Sequence, residues 1–330
     1  MERWIILSVL GRLALLLTLF LLPMGNLLPG DGTSVPFSVH SAAAVQGDAA
    51  NVAPAAHFTR YWDSTIPSSP RLDAKSAVLV RSLTRNRGGV VANLYAYGIP
   101  IFAASARTPV RHVRCTKPWG VCELERLPVP VPANARPNTG SDAVMVIVQP
   151  TSGRSFEFWQ AKKNTLGWAA SWGYVVSLAG TGVGGATGSG ISRLAGVVRT
   201  SEIAQGVIRH ALVLSTNNAC AKGFRAPAIK TDGRSSSGDC LPEGARLQLS
   251  PTVNVSAIPG ITRGERSVAL ALQKYGAYVV DVGGASAAFS FEKPTTGQNP
   301  YPAAGFPWDY WHMPHIPWSR MRVLNNWSGS

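Results

Sequence analysis

From residue 89 onward the chain is built of short apolar runs broken by glycine and proline: VVANLYAY, LPVPVPANARP, DAVMVIVQ, SFEFWQAK, WAASWGYVVSL, VIRHALVLST, ARLQLS, YVVDVG and ASAAFSFE. Runs of this length, rich in β-branched and aromatic residues and bounded by turn formers, predict strands. The PTSG between Gln149 and Arg154 predicts a hairpin joining DAVMVIVQ to SFEFWQAK. In its second strand Glu157 and Trp159 then share one face, and Phe156, Phe158 and Gln160 the other. Only two segments carry a helical stripe. Residues 72–86 align Leu72, Ser76, Val80 and Leu83 behind Asp73, and residues 267–276 align Val268, Leu272 and Tyr275 before Gly276, a natural left-handed cap.

This pattern predicts a mostly β fold, a β-sandwich or jelly roll with two or three short helices, rather than alternating strands and helices. The first 44 residues read differently. Arg3 and Arg12 accompany a leucine-dense run that stops at Pro23 and Gly25, and SAAAVQ supplies small residues for cleavage near Ala44. Residues 1–44 are therefore expected to be a secretory signal, with an uncleaved membrane anchor as the alternative. Residues 45–70 form a linker or extended segment in which HFTRYWD is suited to dock on the body, and residues 71–330 a single β-sandwich domain.

Composition sharpens this picture. The formal net charge is +14, and removing residues 1–44 leaves it unchanged because they carry two basic and two acidic groups. In a secreted or cell-surface protein such charge favours an acidic polysaccharide or cell-wall glycan as partner. Nucleic acid is not expected, and membrane contact only through an uncleaved signal. The four cysteines are spaced for local disulfides, Cys115 with Cys122 and Cys220 with Cys240, although four cysteines allow three connectivities.

Candidate chemistry is sparse. LAGTGVGGATGSG carries a formal G-x-G-x-x-G at Gly180, Gly182 and Gly185, with Glu202 downstream, but no helix-forming segment follows. It reads as a loop allowing close backbone approach, and no cofactor is called. His312 and His315 are separated by Pro314 and lack a third metal ligand nearby in sequence, so no metal is called. Asp232 and Asp239 sit in a polar loop that is either solvated or holds calcium. Ten tryptophans, among them Trp159 and Trp172, supply faces on which sugars stack.

The segments GATGSGISRLAGVVRTSEIAQGVIRHALVLST, KTDGRSS, LPEGARLQLSP, RSVALALQKYGAYVVDVGGA and PHIPWSRMRVL resemble a group of uncharacterised secreted bacterial proteins of actinobacterial type. That resemblance covers residues 60–330 and implies export without naming a substrate. RTSE, IRH and QKYGAY, in that order, also resemble the Arg, Q-x-H and Tyr-Lys motifs of jelly-roll polysaccharide lyases of the alginate lyase type, with Ile208 in the glutamine position. A lyase needs a group to neutralise the uronate carboxylate, a base and an acid. Arg199, Gln160 or Lys230 are candidates for the first role, His210 for the second, and Tyr275 or Tyr278 for the third. A glycosidase needs two carboxylates, for which Glu157 and Asp232 are the suggestive pair. The chain thus reads as a secreted protein that acts on or binds an acidic polysaccharide, as a lyase or glycoside hydrolase. The alternative is a non-catalytic glycan-binding or structural envelope protein. His210, placed by alternation in a row of leucines, is either a site residue or a satisfied core histidine.

Overall fold

The computed structural model describes residues 58–85, 89–295, 297 and 299–325, all within one compact unit spanning Asp48–Ser330. The expected signal, its cleavage point and the linker through residue 57 lie outside the described residues.

Two mixed sheets form a sandwich. The first has six strands, ordered Val90–Asn93, Ala287–Ser290, Leu212–Thr216, Ala277–Val282, Arg246–Leu249 and Met321–Val323. The second has five, ordered Trp172–Ser177, Arg154–Trp159, Met145–Gln149, Ile99–Ala103 and Glu292–Lys293. The predicted hairpin forms, with Met145 opposite Phe158 and Gln149 opposite Arg154, and Gly153 in the left-handed region at the turn.

The apolar runs are continuous because the central strands are buried on both faces. Val144, Val146 and Val148 enter the core between the sheets, where they meet Ile99, Ile101, Val213, Tyr278 and Val280. Met145 and Ile147 point the other way, with Phe156 and Phe158, onto Leu124, Val129 and Trp168. Phe58, Tyr61 and Trp62 of the HFTRYWD segment belong to the inter-sheet core. The outer face of the first sheet is covered by two of the four α-helices among the described residues, α1 (Ser76–Arg85), α2 (Glu123–Arg126), α3 (Thr200–Gln205) and α4 (Arg263–Lys274). Leu79 and Leu83 of α1 and Val268 and Leu272 of α4 pack there against Leu212, Leu247 and Phe289. Helix α4 starts at a capping box of Thr262 and Glu265, and Gly276 beyond its end takes φ of 75°.

One local expectation is corrected. The strand predicted over residues 207–216 begins only at Leu212. Helix α3 ends at Gly206 in the left-handed conformation, and residues 207–211 are needed to bring the chain back to the sheet. His210 therefore stands before the strand, not in its leucine row.

Both disulfides pair locally, Cys115 with Cys122 and Cys220 with Cys240, which marks a protein of an oxidising environment. No described helix is long and apolar enough to cross a membrane.

Candidate functional site

The two sheets part at one end into a cleft of about 670 Å³. Its floor is the inter-sheet core, represented by Ile99, Val144, Val213 and Val280, and its rim is polar. Asn138, Ser141 and Asp142 line it from the segment that leads into the second sheet, and Ser215 and Asp281 from the first. Ser192 and Arg193 come from the end of the glycine-rich loop, and Tyr97, Tyr310 and His312 also line it. Tyr97 and Tyr310 have ring centroids 6.4 Å apart, and the Tyr97 hydroxyl lies 2.9 Å from Ser141 Oγ.

Three carboxylates converge beside this cleft. Asp232, Glu243 and Asp281 each present an oxygen within 4.8 Å of the other two. Asp281 lines the cleft, Asp232 is exposed, and Glu243 is completely buried. Arg193 Nη2 reaches Asp281 Oδ2 at 3.4 Å, and among the described residues neither Asp232 nor Glu243 forms an ion pair. Such a group cannot ionise fully without cost. Burial, with Asp232 and Asp142 nearby, raises the Asp281 pKa to about 7 against the pull of Arg193. Burial and the adjacent Asp232 raise Glu243 to about 8. Glu243 Oε2 accepts from the Asp232 backbone N–H at 3.2 Å, whereas Oε1 is buried with no hydrogen-bond partner.

The glycine-rich loop makes this convergence possible. A Cβ at Gly188 would stand 2.2 Å from Asp232 Oδ1, so only glycine lets that carboxylate approach. Residues 186–194 are held in turn by Glu157. Its fully buried carboxylate accepts from Ala186 N at 3.0 Å, Arg193 N at 2.9 Å, Leu194 N at 3.4 Å and the Ser192 hydroxyl. Burial raises its pKa, opposed by these donors. With its oxygens committed to the loop, Glu157 positions Arg193 and Gly188 instead of meeting a substrate.

The remaining candidates are scattered. The His210 side chain is 23% exposed, with Nδ1 2.9 Å from the Ala211 carbonyl and Nε2 3.0 Å from Glu202 Oε2. Burial opposes its charge, but Glu202 outweighs this and holds the pKa above the ordinary histidine value. Arg199 is buried and paired through Nε with Glu292 at 2.9 Å. Tyr278 is fully buried in the inter-sheet core beside Trp62, and Tyr275 is buried at the end of α4. None of these four lines the cleft. Lys230 is exposed beside Gly190 of the glycine-rich loop. Gln160 turns out of its strand with φ of 52° and accepts from Ser171 Oγ at 2.7 Å. Trp159 Nε1 points to Asp142 Oδ1 at 3.5 Å, and Trp159 and Trp172 both adjoin Trp119.

The polar loop also divides: Asp232 joins the carboxylates, while Asp239 binds Asn218 Nδ2 at 3.2 Å. His312 and His315 part as well, the latter placing Nδ1 2.7 Å from Glu265 Oε2 on α4.

Sequence reasoning missed Asp142, Arg193, Glu243 and Asp281. A signal existed for Asp281, an acid inside the apolar strand YVVDVG. No family model, curated protein or solved structure matches the chain.

Proposed function

We propose that the cleft binds a polysaccharide and hydrolyses a glycosidic bond. The observation that carries this reading is the gathering of Asp232, Glu243 and Asp281 within 4.8 Å, with Asp281 in the cleft wall and its pKa raised to about 7. A carboxyl group protonated near neutrality is the form a general acid needs. Asp281 donates its proton to the departing glycosidic oxygen. Asp232, exposed beside it, attacks the anomeric carbon as a carboxylate, and water then displaces it from the glycosyl-enzyme while the Asp281 carboxylate left by the first step takes the proton of that water. The close spacing suits this retaining course, for which carboxyl groups stand about 5–5.5 Å apart, better than an inverting one at about 6.5–9.5 Å. Asp142 and Tyr97 offer hydrogen bonds to sugar hydroxyls, and Tyr310 offers a ring face.

The substrate class we infer is acidic, in a protein of net charge +14 with Arg193 in the cleft wall. Hydrolysis accounts for these residues better than β-elimination, because Asp281 lines the cleft with Asp232 within 4.8 Å of it, whereas His210 is committed to Glu202 and Tyr275 and Tyr278 are buried. Incubation with uronate-containing and neutral polysaccharides should release saturated reducing ends from the former, with retained anomeric configuration. Unsaturated uronide products would instead establish a lyase. Binding without any product would leave a glycan-binding module.

A further inference from the structure

A second surface lies outside the cleft. Trp119 is 57% exposed, yet it is neither isolated nor loose. It sits in the loop TKPWGV closed by Cys115 and Cys122 and stacks on Trp159 with centroids 5.4 Å apart and planes inclined by 30°. Trp172 adds a third ring at 6.4 Å. The loop is fixed along its base, where Thr116 N and Lys117 N donate to the carbonyls of Ala170 and Ser171 at 2.9 and 3.1 Å. An aromatic group held in place loses little entropy on binding.

The loop and the small sheet beside these rings carry basic side chains. The strands Val113–Cys115, Gly167–Ala170 and Lys162–Asn164 form a small sheet in which Ala169 lies between Arg114 and Lys162. Cross-strand partners share a face. Val113 and Trp168 turn inward to the core beneath, so Arg114 and Lys162 occupy the outward face. Lys117 adjoins Trp119 in the loop, and neither Lys117, Arg114 nor Lys162 forms an ion pair among the described residues. Residues 105–122 and 158–173 contain no Asp or Glu. The nearby Glu125 is engaged, accepting from Cys115 N at 2.8 Å.

We propose that the Trp119, Trp159 and Trp172 platform with its basic sheet is a second glycan-binding surface, which takes the part of an anionic polysaccharide running out of the cleft. Trp159 supplies the continuity. Its ring lies under Trp119, and its Nε1 points to Asp142, a residue of the cleft wall. Ring faces contact the sugars and the lysines meet their carboxylates. The direction of the chain rests on the cleft reading, whereas binding at the platform does not.

The test is calorimetric binding of polygalacturonate fragments to an Asp281→Asn parent, which removes cleavage from the measurement. Adding Trp119→Ala should weaken binding about tenfold, the scale of one well-placed aromatic contact, and Trp119→Phe should restore most of it. Adding Lys117→Glu with Lys162→Glu should weaken binding and flatten its salt dependence. Phe224→Ala, an exposed aromatic on another sheet, is the control. Equal binding by the parent and Trp119→Ala would overturn the platform while leaving hydrolysis in place. A parent that fails to bind polygalacturonate, or binds a neutral glucan as tightly, overturns it too. Trp119-dependent binding by a protein whose wild type cleaves nothing would keep the platform and remove the hydrolase.

Discussion

Two clusters of charge adjoin the first sheet, and they are composed in opposite ways. At α3, acids and bases match: Arg199 pairs with Glu292 and His210 with Glu202. The Thr200 N–H and hydroxyl complete the Glu292 carboxylate at 2.9 and 3.0 Å. At the cleft, Asp232, Glu243 and Asp281 gather while Arg193 pairs with Asp281 alone of the three, and Glu243 Oε1 has no partner. A matched buried network favours one conformation and offers nothing to a ligand. An unmatched one raises the pKa of its acids and leaves bonding capacity unused, as a site of proton transfer requires.

The largest expected effect separates the clusters by activity. Asp281→Asn should lower turnover by about 10³-fold or more, equivalent to about 4 kcal/mol of barrier, while the melting temperature holds or rises because a crowded acid has been removed. Loss of stability with turnover per folded molecule intact would place Asp281 in the matched class.

Arg199→Leu should do the reverse. It strands Glu292 in a buried position, so urea unfolding should show a loss of about 3 kcal/mol, with turnover per folded molecule preserved. His210→Gln is the milder version, with a loss of about 1 to 3 kcal/mol through an imperfectly satisfied Glu202 and Ala211 carbonyl. A stable but inactive His210→Gln protein would restore the histidine as a site residue.

A further effect is the pH dependence of stability. Asp281 and Glu243 have folded-state pKa values raised to about 7 and 8, above those of the unfolded chain. The native state therefore holds more protons between about pH 4 and 8, and stability falls as pH rises through that window. His210, also raised, stabilises below its unfolded pKa of about 6.5, and that contribution is lost as pH rises through its folded value. Melting curves across pH should show the decline, flattened at the acid end by Asp281→Asn and near neutrality by His210→Gln. An unchanged slope in Asp281→Asn would remove the claim that this carboxyl is held protonated.

Much of the fold was legible beforehand. The 145–159 hairpin, helix α4 with Gly276 beyond it and the two local disulfides follow from periodicity and turn residues, which act between near neighbours in sequence. The site was legible only in fragments. Asp232 stood out in a polar loop, and the glycine-rich segment read as a place of close backbone approach. Glu157 stood out only as the partner of Asp232 in a candidate carboxylate pair, and Asp281 in the apolar strand YVVDVG did not stand out. His210 stood out by an alternation that does not reach it, since the strand begins only at Leu212.

By itself, then, the sequence determined the β character of the chain, its hairpin turn and its positive charge, and favoured the local disulfides among three connectivities, because each depends on local spacing or on a sum over residues. Tertiary structure decided which acids meet. Asp232, Glu243 and Asp281 come from a loop and two different strands, and they converge because Gly188 admits a carboxylate and Glu157 fixes the loop that carries it. Whether a polar residue inside an apolar run is a strut or a site depends on the charges brought to face it from elsewhere in the chain. Two buried-strand acids of similar local setting accordingly differ: Glu157 meets four donors, and Asp281 meets two further acids and one arginine.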